Sequence, residues 1–235
     1  MFKKSLFIFT LTYLSLFPMV KTHAQGNIDI DTDLVSNYVW RGQLLSPAFN
    51  IQPAVTFTNS HQYFSAGLWG SYGVGDFYSE INIFASLYLG PLSLTIIDYF
   101  VYPESYDLPF FDYRKQSTGH TLEFIAEMMV SEDIPLTLTW GTFFFGEDYN
   151  ESGDRMYSSY FEATYSTKYN NLPLEFFAGL TPWKSFYAEK LYPVNIGFST
   201  GKNIEVSDTF TIPVTGTFCI NPWEEKALLV LTLSF

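Results

Sequence analysis

The chain has 235 residues, with 24 acidic side chains against 12 basic ones, and a single cysteine, Cys219. A formal charge of −12 argues against nucleic acid and anionic surfaces as partners, and one cysteine excludes an intramolecular disulfide framework. Aromatic residues make up 20% of the chain, a surplus that belts at a membrane–water boundary would use.

Residues 1–24 read as a cleavable signal peptide. Lys3 and Lys4 form a positive start, Leu6 to Val20 an apolar run, and Thr22-His23-Ala24 a small-residue cleavage site. Residues 25–235 would then form one domain, still more acidic after the loss of Lys3, Lys4 and Lys21. No later stretch is long and apolar enough for a membrane helix, so a membrane protein built from it must be a barrel.

Alternation at the two-residue period of a strand recurs along the rest of the chain. The first segment, 27–40, puts Ile28, Ile30 and Leu34 on one face and Asp29, Asp31 and Asp33 on the other, with Arg41 following at the first loop. Segments 49–58, 63–74 and 77–89 continue the pattern, the last setting Ile81, Ile83 and Leu87 against Glu80 and Asn82. A Gly90-Pro91 turn leads to 92–102, where the pattern slips at Ile96-Ile97. A β-bulge there would turn Asp98 inward.

A polar stretch, 103–118, precedes segments 119–130 and 134–145, which place Glu123 and Glu127 on the polar face and Phe143 and Phe145 among the inward rings. Segments 156–167 and 172–180 add Glu162 and Glu175 to that face, and 192–201, 209–220 and 227–235 complete the series. The last runs Ala227, Leu229, Leu231, Leu233, Phe235 along one unbroken apolar face. Twelve segments is an even number, as single-chain bacterial barrels require. Short turns fall at one end and longer polar loops at the other, with a short exception at 73–76 and a long inner turn at 202–207. The expected fold is therefore all-β: a transmembrane up-and-down antiparallel barrel of about twelve strands, with both termini on the inner side.

The run Leu34-Val35-Ser36-Asn37-Tyr38-Val39-Trp40-Arg41-Gly42, with Pro53-Ala54 and Ser65-Ala66-Gly67-Leu68-Trp69-Gly70-Ser71, resembles the TorF-like porin family. Asp98-Tyr99-Phe100-Val101-Tyr102-Pro103 and Glu123 resemble later landmarks of it. The match covers about the first half of the mature chain, and the second half agrees mainly in strand pattern. The resemblance implies a pore of the bacterial outer membrane. It also implies that Leu231, Leu233 and Phe235 are read by the barrel-assembly machinery.

The polar face collects Asp29, Asp31, Asp33, Glu80, Asp98, Glu123, Glu127, Glu162 and Glu175 against Arg41 as its main base. Carboxylates in a narrow bore concentrate cations and repel anions; they equally well hydrogen-bond across a filled barrel. Arg41 suits a structural pairing with one of these acids. The expectation is a narrow, cation-leaning pore for small solutes in contact with outer-membrane lipid. Alternatives are a filled structural barrel for envelope integrity or surface interaction, and, more weakly, a lipid-modifying barrel enzyme. For the last, His120 falls on the outward face, but Leu122 occupies the position two residues on where a serine nucleophile would be wanted. No metal-ligand spacing and no cofactor motif is present in the sequence, so the chain reads as non-enzymatic.

Overall fold

The computed structural model describes residues 26–235 except 106, 116 and 132; the expected signal peptide lies outside the described residues. Twelve antiparallel strands close into one barrel. They are β1 (Gly26–Val35), β4 (Phe49–Asn59), β5 (Phe64–Val74), β6 (Ser79–Leu89), β7 (Leu92–Val101), β8 (His120–Met129), β9 (Leu136–Gly146), β10 (Ser159–Tyr169), β11 (Leu172–Thr181), β12 (Tyr192–Ser207), β13 (Phe210–Asn221) and β14 (Lys226–Ser234). Two further strands, β2 (Tyr38–Trp40) and β3 (Gln43–Ser46), pair only with each other.

Around the middle of the barrel the strands bury one parity and expose the other, whereas toward the turn end, at the start of β1 and the end of β12, both parities are exposed. Ile51, Leu68, Ile83, Ile96, Phe124, Trp140, Phe176, Phe198, Leu229 and Leu231 stand on the outside of the wall. Asn50, Gln52, Ser71, Glu80, Asn82, Glu123 and Asn195 are buried on the inside. This inverts the soluble rule of apolar residues inside. Each barrel strand is paired on both sides over part of its length, so sheet edges remain only where a strand outruns its neighbour, as at the start of β1 and the end of β12.

One end carries only turns, while the other carries the long connections 36–48, 102–119, 147–158 and 182–191 together with the short links 75–78 and 222–225. At the turn end, Asn170 and Asn171 both take positive φ (48° and 65°), the two-residue hairpin geometry that matches strand twist. Closure runs through β1 and β14, which register over Asp33–Val35 against Thr232–Ser234. Phe235 exchanges two backbone hydrogen bonds with Thr32, at 3.0 and 3.1 Å. Gly26–Thr32 therefore extends past the end of β14 while staying paired with β4.

Four expectations are corrected. The segment expected at 27–40 leaves the barrel at Val35. Ser36 and Asn37 break the strand, and Tyr38–Trp40 belongs to the small hairpin. No bulge interrupts β7, whose register with β6 and β8 is continuous. Ile97 faces Glu123 on the inside, so Asp98 pairs with Ile83 and Leu122 and points outward. An irregularity lies instead between β8 and β9, where Leu122 opposes Phe145 and Glu123 opposes Phe143; Phe145 is thereby taken off the inward parity. The turn expected at 202–207 is strand: β12 continues to Ser207 and pairs with β13 beyond it.

Candidate functional site in the barrel bore

The connection 36–48 does not stay outside. It folds into the barrel as the β2–β3 hairpin, with Arg41-Gly42 at its tip, both at positive φ (51° and 77°). That geometry is natural for Gly42 and costs about 1–3 kcal/mol at a non-glycine position such as Arg41, so docking contacts must hold it. The sequence placed Arg41 at the outer mouth; the structure carries it down into the bore.

There the guanidinium meets a prepared pocket. Arg41 donates Nη1 to Glu123 Oε1 at 2.6 Å and Nη2 to Oε2 at 3.2 Å, a fork-to-fork pair. Nη1 also donates to the Tyr187 hydroxyl at 2.7 Å, and Tyr99 donates to Glu123 Oε2 at 2.8 Å. The Arg41 guanidinium carbon lies 4.5 Å from the Trp40 ring centre and 4.7 Å from that of Tyr160, within cation–π range. Glu123 is wholly buried and Arg41 is 11% exposed.

Aromatic rings complete the seal. Trp40 packs on Tyr99, Phe143 and Tyr187 with ring centres 5.6, 6.2 and 5.7 Å apart. Tyr38 fits between Trp69 and Tyr78 at 5.6 and 5.5 Å. Around them the wall acids are already bonded. Tyr78 donates to Glu80, which also accepts from Asn82 Nδ2 at 2.8 Å. Tyr160 donates to Glu162, which accepts from Asn195 Nδ2 at 3.0 Å. Small residues make room for the tip. A Cβ on Gly42 would stand 2.1 Å from the Val194 carbonyl oxygen, and one on Gly141 would stand 2.2 Å from Glu123 Oε1.

The hairpin divides the bore. On the turn side lies a cavity of about 240 Å³ bordered by Asp33, Gln52, Phe177, Asn195 and Cys219. On the loop side lies one of about 260 Å³ bordered by Trp40, Glu80, Tyr99, Phe143 and Glu147. Tyr38 and its neighbours form the partition between them.

Of the acids read from the sequence, Glu80, Glu123 and Glu162 gather around the hairpin, with Arg41 among them. Asp29, Asp31 and Asp33 share the inner parity of β1, opposite Thr56, Ala54 and Gln52. Glu127 and Glu175 face inward opposite Thr139 and Ser199. Asp29, Asp31, Glu127 and Glu175 lie toward the turn end, while Asp33 borders the turn-side cavity together with Arg41 and Gly42. Asp98 stands apart on the outer wall. Tyr187, Tyr99 and Gly141 were not singled out from the sequence. Tyr187 sits in a loop without periodicity, so nothing local marked it.

No family model matches the sequence, and no curated protein matches it. Among solved structures, a chain from work on the in-meso crystallization of membrane proteins aligns over 90% of this chain and 83% of its own. The identity is 10% and the TM-score 0.40.

Proposed function

We propose that this chain is a bacterial outer-membrane barrel forming a narrow, cation-leaning pore for small solutes, closed here by its first loop. The observation that carries the reading is the β2–β3 hairpin, docked across a polar bore and pinned through the Arg41–Glu123 pair between two cavities. An apolar outer face around a polar inner face is the solvent arrangement a spanning barrel requires. The likeness of residues 34–42 to the TorF-like porins points the same way. In this reading the lipid-facing strand ending in Leu231, Leu233 and Phe235 also serves the assembly machinery. No catalytic step is assigned to the chain.

The proposed cation preference follows from the charge of the bore: Glu80, Glu123, Glu162, Asp33, Glu127 and Glu175 outnumber its one guanidinium. A field of that sign raises the local cation concentration. The occupied bore also favours a second reading, a filled barrel with a structural role, because the rings around Trp40 leave the hairpin well packed.

Conductance of the purified protein in planar bilayers separates the two. The pore reading expects small cation-selective steps that enlarge in Arg41→Ala and lose cation preference in the Glu80→Gln plus Glu123→Gln double variant. Silent bilayers for both the parent and Arg41→Ala, over a range of salts, would sink it and leave the filled barrel.

A further inference from the structure

Between β7 and β8, the connection folds Phe110 and Tyr113 back over the outside of the barrel wall. The outward positions of these strands are apolar and exposed at Ile96 and Phe124, but next to the loop they become Asp98, Phe100 and His120. Phe100 and His120 are completely covered. Phe110 packs edge-on to both, with ring centres at 5.0 and 5.1 Å, and Tyr113 stacks on the imidazole at 4.0 Å and 18°. His120 Nδ1 lies 2.8 Å from Asp98 Oδ1, and its Nε2 meets the Phe110 carbonyl. The Tyr113 hydroxyl donates to Asp98 Oδ2 at 2.7 Å. Each polar atom of the pair is therefore bonded to the loop or to its partner, which fastens the loop to the wall. Burial of the Tyr113 phenol and its bond to Asp98 push its pKa up to about 12.

The other side of this flap is unlike a water-facing loop. Phe111 stands 88% exposed at its crest, turned away from the wall that Phe110 grips. Arg114 and Lys115 follow after Asp112 and Tyr113, with the Arg114 side chain 80% exposed and forked onto the Asp112 carboxylate. An aromatic residue followed by cations, continuous with an apolar wall, is the order of groups met at a bilayer surface. In water the Phe111 ring gains nothing from this position.

We propose that segment 102–119 is a membrane-interface anchor, holding Phe111 in the lipid at the outer boundary of the bilayer with Arg114 and Lys115 at headgroup level. The inference rests on the bilayer-spanning reading above. The occupant is lipid, because the flap lies along the same lateral wall as Ile83, Ile96 and Phe124 and prolongs their apolar surface.

The test uses the full mature chain in phosphatidylcholine vesicles whose acyl chains carry bromine near the headgroup end. Fluorescence of Phe111→Trp is compared with the parent, and the parent with Trp140→Phe. Trp140, on the outward face of β9, reports on the spanning reading by itself. The anchor predicts that the emission added at position 111 is blue-shifted, quenched by bromolipid and protected from aqueous iodide. Added emission quenched by iodide and indifferent to bromolipid, with Trp140 emission still quenched by bromine, would overturn the anchor and spare the barrel reading. Protection from both quenchers would mean that a protein surface, such as a second copy, covers Phe111, and would equally overturn it. If Trp140 also escapes bromine, the bilayer-spanning reading falls, and the anchor with it.

Discussion

Arg41 and Glu123 are 82 residues apart in sequence and 2.6 Å apart in space, and through this pair the first loop becomes part of the bore. Glu123 is wholly buried and Arg41 nearly so. Their mutual neutralisation is what makes an inward loop tolerable. Removing one partner of such a buried pair leaves the other uncompensated, at a cost of about 3–5 kcal/mol.

Arg41→Ala is therefore expected to lower the urea midpoint of unfolding and to enlarge conductance, because the hairpin loses its anchor. Arg41→Ala combined with Glu123→Gln should recover part of the stability, since the stranded charge is gone. Unfolding followed by tryptophan fluorescence across the double-mutant cycle measures the coupling. Additive losses would show that the two side chains are not energetically paired.

Gly42 should be as hard to replace as Arg41, for steric reasons. Its positive φ and the 2.1 Å at which an added Cβ would meet the Val194 carbonyl oxygen leave no space for a methyl group. The backbone strain costs about 1–3 kcal/mol, before the clash is counted. Gly42→Ala is expected to undock the hairpin, read as faster thermolysin cleavage within 36–48. Gly141→Ala, which crowds Glu123 from the neighbouring strand β9, should do the same. Gly216→Ala is the control, because its Cβ would meet only a Leu231 methyl at 3.7 Å; cleavage there should not change.

The barrel was legible in the sequence because its signal is local. Every second residue from Ala227 to Phe235 is apolar, and the structure puts that face outward. The pairs Ile81/Glu80 and Leu122/Glu123 likewise sort correctly from parity alone. The hairpin was not legible, because alternation continues through Tyr38 and Trp40 and so mimics a longer barrel strand. What bends the chain inward is a contact with Glu123, far away in sequence. Asp98 misled in the opposite way: an acid is expected inside, and the adjacent Ile96-Ile97 suggested a slip. Instead Ile97 fills the bore beside Glu123, while Asp98 finds His120 and Tyr113 under a loop whose fold no periodicity announces.

Asp98→Asn should loosen that loop without disturbing the bore. It weakens bonds to His120 and Tyr113, and a hydrogen bond involving a charged group contributes about 1.5–3 kcal/mol. Losing one shifts the loop's opening equilibrium by about 10–100-fold. Trypsin cleavage after Arg114 and Lys115 should accelerate accordingly, with cation conductance unchanged. Equal cleavage rates in the parent and the variant would show that the His120–Asp98 contact does not restrain the loop.

The flap also carries its own pH dependence, set by Asp112. Arg114 donates to Asp112 through Nε and Nη2, both at 2.7 Å. Ser117 adds a bond at 2.8 Å and the Arg114 backbone N–H another at 3.1 Å. Together they hold the carboxyl well below the usual aspartate range. A folded-state pKa below the unfolded one means the contribution is complete above the unfolded value and is lost as pH falls through the folded one. The loop should accordingly keep this network at neutral pH and down through about pH 4, the ordinary aspartate midpoint, and give it up only in stronger acid. Carboxyl carbon shifts of Asp112 followed by NMR give the midpoint directly. It should lie below that of a free aspartate in the parent and return to the ordinary range in Arg114→Gln. An ordinary midpoint in the parent would mean that the Arg114 fork does not persist in solution.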